Sequence, residues 1–319
     1  MRALLCPASL KGVLSARAAA AALAEGFRCG GVGGDELPLA DGGEGTADVL
    51  HAAHGGEWRE SIVSDPLGRP VPARWLRLAA GGAIVEAAAA IGLPLLAPDE
   101  RDPLRASSRG LGELVLAALR EEPTQLLVAL GGSATVDGGA GMREVVRTLP
   151  VPTTVLCDVR TGLADAARLF GPQKGASDDD VNELERRLAA MDVLWPFAEL
   201  PGSGAAGGLG AAFAALGASL VPGAEALLDL LGFDDRARSA GIVVTGEGRV
   251  DATTLEGKAP AVVAARCKRA GLRCVVFGGT VVEALPGTET VSLSGAPARA
   301  SADLVELGER LARDLAGLG

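Results

Sequence analysis

Short apolar runs alternate with amphipathic segments along the chain. Runs rich in Val, Leu and Ile, bounded by Gly, Pro or charge, have the length of buried strands. We predict strands at residues 2–6, 36–39, 58–64, 71–78, 83–86, 125–130, 153–157, 241–245, 273–277 and 289–293. Apolar residues at helical spacing predict helices at residues 15–28, 44–54, 110–120, 137–147, 177–191, 205–217, 258–270 and 301–316. This alternation is typical of an α/β fold with mainly parallel sheet.

The last predicted helix shows the helical pattern most clearly. It carries one apolar stripe, formed by Leu304, Leu307, Leu311 and Leu315. We expect this stripe to be buried.

The length of the chain sets the expected number of domains. At about 150 residues per domain, 319 residues predict two domains. The best hinge candidates are the Pro- and Gly-rich stretches at 64–72, 94–103 and 196–204, and no long linker stands out. This distribution favours domains that are interleaved over domains that follow one another.

Composition and charge exclude several classes of protein. The chain carries 30 Lys and Arg against 40 Asp and Glu, a net charge of −10, and it has no Tyr. An acidic surface repels phosphate backbones and anionic lipid, so we expect neither nucleic acid nor a membrane as a partner. No apolar run approaches the roughly 18 residues that span a bilayer, and the start of the chain does not resemble a signal peptide. We therefore expect a cytoplasmic protein.

The cysteines and histidines predict no metal site. The five Cys are odd in number and form no CxxC pair, so we expect free thiols. The two His, His51 and His54, lie on one predicted helix without a third ligand.

The glycines cluster directly after strand-like runs. The turns are DGGEGT at 41–46, GGSAT at 131–135, GEGR at 246–249 and GGT at 278–280. Ligands of open parallel sheets bind beyond the carboxyl ends of the strands, where glycine lets backbone N–H groups approach an anion. Several such turns on one chain favour a site that binds phosphate over glycines that only end strands.

Two familiar nucleotide motifs do not account for these turns. The Walker pattern is absent, because Gly257 and Lys258 are followed by Ala259. A GxGxxG match at 202–207 follows a poor strand, so it is weak support for a dinucleotide-binding oxidoreductase.

Charged side chains beside the glycine turns supply the groups that phosphoryl transfer uses. The carboxylates are Asp41, Glu44, Asp137, Asp158, Glu247 and Asp251. The cationic candidates are Lys11, Arg109, Lys174, Arg249 and Lys258. Carboxylates hold Mg²⁺ and position an attacking hydroxyl, while backbone N–H groups, Lys and Arg stabilise the charge of the transferring phosphate.

Taken together, the motifs resemble the bacterial glycerate kinase family, the type that lacks a Walker loop. The most specific motifs are DGGEGT at 41–46, GGSATVDGGAGM at 131–142, FGPQKGA at 170–176 and TGEGRVD at 245–251. The matching segments run in the family's order over roughly residues 1–280.

The resemblance implies ATP- and Mg²⁺-dependent phosphorylation of D-glycerate, a small-molecule substrate, with 2-phosphoglycerate expected over 3-phosphoglycerate. It also implies two α/β domains, one assembled from both ends of the chain, with the active site in the interdomain cleft. We expect residues 1–78 and 241–319 to form the discontinuous domain and residues 79–240 to form the inserted one.

Resemblance and chemistry together suggest roles for individual residues. We expect the catalytic residues to be Asp41, Asp137, Asp251 and Lys11. We expect Mg²⁺ to bind Asp41 and Asp137. We expect ATP to contact Gly42, Gly43, Gly131, Gly132, Ser133, Thr135, Gly246, Gly248, Arg249 and Lys258. The role of each individual carboxylate is open at this point.

Departures from the family's pattern keep two alternatives open. Ala8 stands where the family usually has Asp, and Val136 replaces an Asn. An Asn-Pro pair is lost after Asp158 and Val159, and several dozen residues usual between GAGM and CDV are missing. The alternatives are a kinase of another small hydroxy acid and a pseudokinase that binds nucleotide or glycerate without catalysis.

Overall fold

Within residues 2–317, which the computed structural model describes except for the side chains of Thr253 and Glu256, the chain forms two β-sheets and twelve α-helices. The strands are β1 (Arg2–Pro7), β2 (Gly33–Glu36), β3 (Gly56–Ser64), β4 (Pro70–Leu78), β5 (Ala83–Glu86), β6 (Leu126–Ala129), β7 (Thr153–Cys157), β8 (Ser219–Pro222), β9 (Ile242–Val250), β10 (Cys274–Val281) and β11 (Glu289–Ser292). The helices are α1 (Ala16–Cys29), α2 (Thr46–His54), α3 (Ala87–Ile91), α4 (Arg109–Leu119), α5 (Ala140–Val145), α6 (Ala166–Phe170), α7 (Asp178–Ala189), α8 (Ala205–Ala215), α9 (Gly223–Leu230), α10 (Phe233–Arg238), α11 (Ala259–Ala270) and α12 (Ala300–Gly317). None of the helices in this described part of the chain has both the length and the apolar character needed to cross a bilayer.

The chain divides into two compact units. The first contains Met1–Asp41 and Ala224–Gly319, and the second contains Gly42–Gly223. The α/β class with one unit built from both chain ends agrees with the expected fold. The chain passes from the first unit to the second after residue 41 and returns after residue 223. The boundaries expected from the sequence lie after residues 78 and 240. Strand pairing explains the first of these two differences. The hairpin of β3 and β4 is hydrogen-bonded through β4 to β5, so residues 56–78 belong to the sheet of the second unit.

The sheet of the first unit is parallel throughout. Its strand order is β11-β10-β9-β1-β2. Leu5 on β1 lies opposite Val244 on β9 and Glu36 on β2. Strands β1 and β9 are buried along most of their length, which explains why they appear as continuous apolar runs in the sequence.

Helices α1 and α12 pack closely against each other in this unit. A Cβ atom at Gly308 would lie 2.6 Å from the carbonyl oxygen of Leu23, so only glycine permits the approach. The predicted stripe of Leu304, Leu307, Leu311 and Leu315 is buried, with at most 4% of any of these residues exposed. The predictions of the last helix and of its buried face are confirmed.

The sheet of the second unit is mixed. Its order is β3-β4-β5-β6-β7-β8, with antiparallel pairing from β3 to β5 and parallel pairing from β5 to β8. The two sheets together are therefore mainly parallel, as predicted. The core of this unit includes Trp75, Val128, Val155 and Phe213.

One predicted strand is displaced along the sequence. The pattern places a strand at 36–39, but β2 is formed by Gly33–Glu36. The backbone continues beside β1 beyond β2, because the N–H of Leu37 donates to the carbonyl of Leu5 (2.8 Å) and the N–H of Leu39 donates to that of Pro7 (2.9 Å). Asp41, the last residue of this segment of the first unit, follows two residues after Leu39.

A buried arginine explains the second boundary. Arg266 on α11 has only 8% of its side chain exposed and pairs with Glu225 (2.5 Å) and Asp229 (2.6 Å) on α9 and with Asp234 on α10 (3.4 Å). These pairs link α9 and α10 to α11, so both helices belong to the first unit although they precede residue 240.

A half-buried carboxylate supports the N-terminus of α2. Glu86, at the end of β5, accepts a hydrogen bond from the backbone N–H of Ala47 (2.8 Å). Burial raises the pKa of Glu86 to about 7, although the hydrogen bond from Ala47 opposes the shift. Glu86 therefore holds a proton in the folded protein at pH values where the unfolded chain has lost it.

We predict that Glu86 makes stability depend on pH. The unfolded carboxyl loses its proton near its ordinary value of 4.5 and the folded one near 7, so the free energy of unfolding should fall as pH rises through this window. Urea unfolding of wild type and Glu86→Gln should give a difference that grows by up to roughly 3 kcal/mol from pH 4.5 to pH 7.5 in favour of the variant. The exposed Glu199→Gln is the matched control, and a difference independent of pH would contradict the prediction.

Candidate active site

The strand ends of the first unit surround one cavity of about 360 Å³. Its lining comes from the loop after β1, the second half of β9, the end of β10, the start of α11 and the loop between β11 and α12. The charged lining residues are Lys11, Glu247, Arg249, Asp251, Lys258 and Asp303. Five of the predicted site residues therefore lie around the same cavity: Lys11, Gly248, Arg249, Asp251 and Lys258.

Ion pairs and a hydroxyl fix the charged side chains of this cavity. Arg249 Nε lies 2.9 Å from Asp251 Oδ2, and Lys258 Nζ lies 3.9 Å from Glu247 Oε2. The hydroxyl of Thr254 donates to Glu247 Oε1 (2.7 Å) and accepts from the backbone N–H of Asp251 (3.1 Å). The turn after β9 thus orients carboxylates and cations together.

The pKa of Glu247 depends on nearby carboxylates of the first unit. Burial raises the pKa of Glu247, and the hydrogen bond from Thr254 and the charge of Lys258 oppose this effect. The carboxylates of Asp41 and Asp251 raise the pKa further. Asp41 therefore lies within electrostatic range of Glu247, in the extension beyond β2.

The structure corrects the position of two predicted turn glycines. Gly246 and Gly248 were expected in a turn after a strand at 241–245, but β9 continues to Val250. A Cβ atom at Gly246 would collide with the carbonyl oxygen of Phe277 on β10. Gly246 thus serves strand packing, whereas Gly248 lines the cavity, where a Cβ atom would lie 3.3 Å from Leu10 Cα.

In the second unit, a buried lysine holds the GGSAT turn that follows β6. Lys174 has only 4% of its surface exposed, and its Nζ donates to Ser133 Oγ (3.1 Å) and to the carbonyl of Thr135 (2.8 Å). Burial lowers the pKa of Lys174 to about 8, and the charges of Asp158 and Asp137 oppose the shift. Lys174 is one of the cationic candidates in the sequence, but its role could not be predicted, because the burial of a lysine leaves no signal in a single sequence.

The carboxylate of Asp137 organises the loop after the same turn. Its Oδ2 accepts hydrogen bonds from the backbone N–H (2.8 Å) and the hydroxyl (2.7 Å) of Ser108 and from the N–H of Gly141 (3.1 Å). Its Oδ1 accepts one hydrogen bond from the N–H of Gly139 (3.1 Å). Oδ1 is therefore the oxygen of Asp137 with a lone pair left for a metal ion or a hydroxyl.

Three glycines bring two loops of the second unit into direct backbone contact. The N–H of Gly131 donates to the carbonyl of Gly42 (3.2 Å). A Cβ atom at Gly131 would lie 2.6 Å from Gly43 Cα and 3.0 Å from Asp158 Oδ2. The contact requires glycine and places the carboxylate of Asp158 beside the turn. The sequence indicated this position, because Asp158 directly follows the predicted strand at 153–157.

The remaining predicted residues of the GGSAT turn differ in accessibility. Gly132 adopts a positive φ of 83°, which favours glycine. Thr135 is fully buried, and its hydroxyl has no hydrogen-bond partner among the residues that the structure describes. Ser133, also buried, accepts from Lys174. Their contact with ATP stays a prediction.

The donor atoms are compatible with Mg²⁺. Among the described residues, no group of three or more His, Cys, Asp or Glu is arranged to hold a metal ion alone. The charges of Asp41 and Asp251 nevertheless both raise the pKa of Glu247. Mg²⁺ prefers carboxylate oxygens and commonly takes one or two of them together with substrate phosphates. The residues therefore suit a metal that arrives with a nucleotide.

Comparison with known proteins gives a consistent result. The model of the glycerate kinase family matches residues 3–148 and 143–306. The two matches meet at 143–148, close to the place where the sequence lacks the residues usual between GAGM and CDV.

Relatives match over most of their length. The chain is 36% identical to glycerate 2-kinase of Escherichia coli strain K12, over 89% of this chain and 86% of the relative. It is 36% identical to glycerate kinase of Bacillus subtilis strain 168, over 88% of this chain and 85% of the relative. A crystal structure from Salmonella typhimurium LT2, described as a candidate glycerate kinase 2, has a TM-score of 0.85 and 33% identity and covers 99% of this chain and 98% of its own. The chain therefore belongs to the glycerate kinase family.

Proposed function

We propose that the protein transfers the γ-phosphoryl group of ATP to the 2-hydroxyl of D-glycerate. The observation that carries this proposal is the cavity of the first unit, where Lys11, Arg249 and Lys258 line the carboxyl ends of parallel strands together with carboxylates. The name of the Escherichia coli relative, glycerate 2-kinase, supports the 2-hydroxyl as the acceptor.

The reaction defines what these residues must do. The bond from the γ-phosphorus to the β–γ bridging oxygen breaks while the glycerate oxygen bonds to that phosphorus, and the hydroxyl proton passes to a base. In the first unit, the carboxylates proposed for this proton are Asp41, Glu247 and Asp251, because Asp303, which also lines the cavity, already accepts hydrogen bonds from Ser294 and Arg299. Glu247 suits the role because its raised pKa makes it the stronger base when ionised.

The cations neutralise the phosphates. The ion pairs with Asp251 and Glu247 hold Arg249 and Lys258 at the cavity, so little reorganisation is needed when an anion binds. Mg²⁺, when bound, supplies further neutralisation of the phosphate charge. We propose Asp41 as a ligand of Mg²⁺ in the first unit. In Asp137, we propose that Oδ1 is the atom that binds Mg²⁺.

The second unit contributes a rigid turn. We infer that Lys174 and Asp137 fix the backbone of residues 131–141, in which the N–H groups of Gly139 and Gly141 already donate to Asp137. Lys174 acts through the turn and is a positioning residue.

Binding without transfer is the second candidate function. Ala8 favours it, because this residue follows β1 at the position where the family usually carries a carboxylate. Val136 does not favour it, because its side chain is buried in the core of the second unit.

We predict release of ADP from Mg-ATP only when D-glycerate is present, with a ³¹P spectrum that matches 2-phosphoglycerate. Asp41→Asn should lower kcat by about 100-fold or more, because it removes a charged oxygen from the reacting groups. Asp48→Asn, on the exposed side of α2, is the matched control and should behave as wild type. Folded protein that is stabilised by Mg-ATP but releases no ADP would favour the binding function instead.

We also predict that Lys174 makes stability increase with pH in alkaline solution. The folded lysine loses its proton near pH 8 and the unfolded one near its ordinary value of 10.5, so the unfolded chain binds more protons between these values. The free energy of unfolding of wild type, measured relative to Lys174→Met, should therefore rise from pH 8 to pH 10. Lys268→Met, at an exposed lysine, should show no such trend, and a flat difference for Lys174→Met would refute the assignment.

A further inference from the structure

The glycine loop of residues 42–46 is held at the carboxyl ends of two neighbouring parallel strands, β5 and β6. At the start of the loop, the carbonyl of Gly42 accepts a hydrogen bond from the N–H of Gly131, which follows β6 (3.2 Å). Where the loop ends and α2 begins, the N–H of Ala47 donates to Glu86 at the end of β5 (2.8 Å). The loop is therefore attached to the sheet at both of its ends, and Glu86 provides the second attachment.

The carboxylate of Glu86 caps α2 from a distant part of the chain. The helix begins after Gly45, which has no side chain to accept from the first N–H groups of the helix. Ala47 is 2% exposed, so water has little access to its N–H. The hydroxyl of Thr46 donates to the carbonyl of Gly43 (2.7 Å) and closes the loop on itself. Loss of the carboxylate would leave a buried N–H without its acceptor where the loop joins α2.

The charge of Glu86 strengthens this hydrogen bond at a cost in stability. Burial is the largest cause of its raised pKa, the charges of Asp48 on α2 and Glu44 in the loop raise this pKa further, and Arg74 on β4 lowers it. A neutral amide in this place would accept from the same N–H without a charge to desolvate. A carboxylate, however, makes the stronger, charge-assisted bond and complements the partial positive charge at the N-terminus of α2. The ionised side chain thus destabilises the fold but holds the loop more firmly.

We propose that Glu86 is a positioning residue for the phosphoryl transfer, because it holds residues 42–46 and, through them, the carboxylate of Asp41. The inference rests on the proposed function, in which Asp41 binds Mg²⁺. Asp41 directly precedes the loop, so a loop that loses one attachment can turn about the remaining bond of Gly42 and displace this carboxylate. A displacement of about 1 Å can lower a reaction rate by about 100-fold. Glu86 contacts neither substrate in this proposal and acts through the loop.

The first test removes the acceptor from the side chain of Glu86. Glu86→Ala should lower kcat for glycerate-dependent ADP release by about tenfold, with KM values for ATP and D-glycerate within about twofold of wild type. Val85→Ala is the matched control on the same strand, because it removes packing from a fully buried residue. It should unfold at a lower urea concentration than wild type and keep the wild-type kcat. An equal loss of kcat in both variants would overturn the inference.

The pH profile distinguishes positioning from stability. As pH rises through the pKa of Glu86, about 7, the wild-type side chain ionises while the side chain in Glu86→Gln stays neutral. The kcat of wild type divided by that of Glu86→Gln should therefore rise about threefold from about pH 6 to about pH 8.5. Over the same range, urea unfolding should increasingly favour the variant, so the more stable protein is the slower enzyme. A ratio that does not change with pH would contradict the inference.

Hydrogen exchange, followed by mass spectrometry, measures the loop without any turnover. Under conditions in which each protein is fully folded, peptides from residues 42–50 should exchange faster in Glu86→Ala than in wild type, and in Val85→Ala as in wild type. If exchange changes in this way but wild type releases no ADP with D-glycerate, the proposed function fails and the support of the loop by Glu86 stands. If wild type is active and Glu86→Ala retains its kcat and its exchange, the proposed function stands and this inference fails.

Discussion

The parallel pairing of β1 with β9 is the constraint on which the first unit depends. It joins segments more than 200 residues apart, and the hydroxyl of Thr245 adds a hydrogen bond to the carbonyl of Cys6 (2.7 Å). Because parallel neighbours end at the same edge of a sheet, this pairing brings the loop of Lys11 beside Arg249. Lys11 and Arg249 therefore line the same cavity only when both chain ends are in place.

The two units hold their charged groups by different means. In the first unit, Arg249 and Lys258 are each paired with a carboxylate that also lines the cavity, so cations and carboxylates stay close to an incoming ligand. In the second unit, Lys174 and Asp137 form hydrogen bonds with the backbone and with side chains of the protein, and these bonds rigidify a glycine-rich turn. Both arrangements fix polar groups before a ligand binds, which is the condition under which electrostatic stabilisation of a phosphoryl group is most effective.

Most of the secondary structure could be predicted, because buried strands and amphipathic helices leave periodic signals. The exceptions have physical causes. Strand β9 runs past residue 245 because it keeps pairing with β10, where Thr280 lies opposite Arg249, although glycine normally ends a strand. Motif resemblance located the charged residues, but the burial of Lys174 and the hydrogen bonds of Asp137 arise from contacts between distant segments. A single sequence carries no record of such contacts.

The same topology has a consequence for biosynthesis. The second unit is one continuous stretch, so all strands of its sheet have been made before residues 224–319 are synthesised. Strand β1 is synthesised first, yet one of its two neighbours, β9, is synthesised about 240 residues later. Until then β1 keeps an unpaired edge, the kind of apolar edge that associates with other chains. Until β9 is made, β2 is the only sheet neighbour of β1 that has been synthesised, so the sheet of the first unit can be completed only late in synthesis.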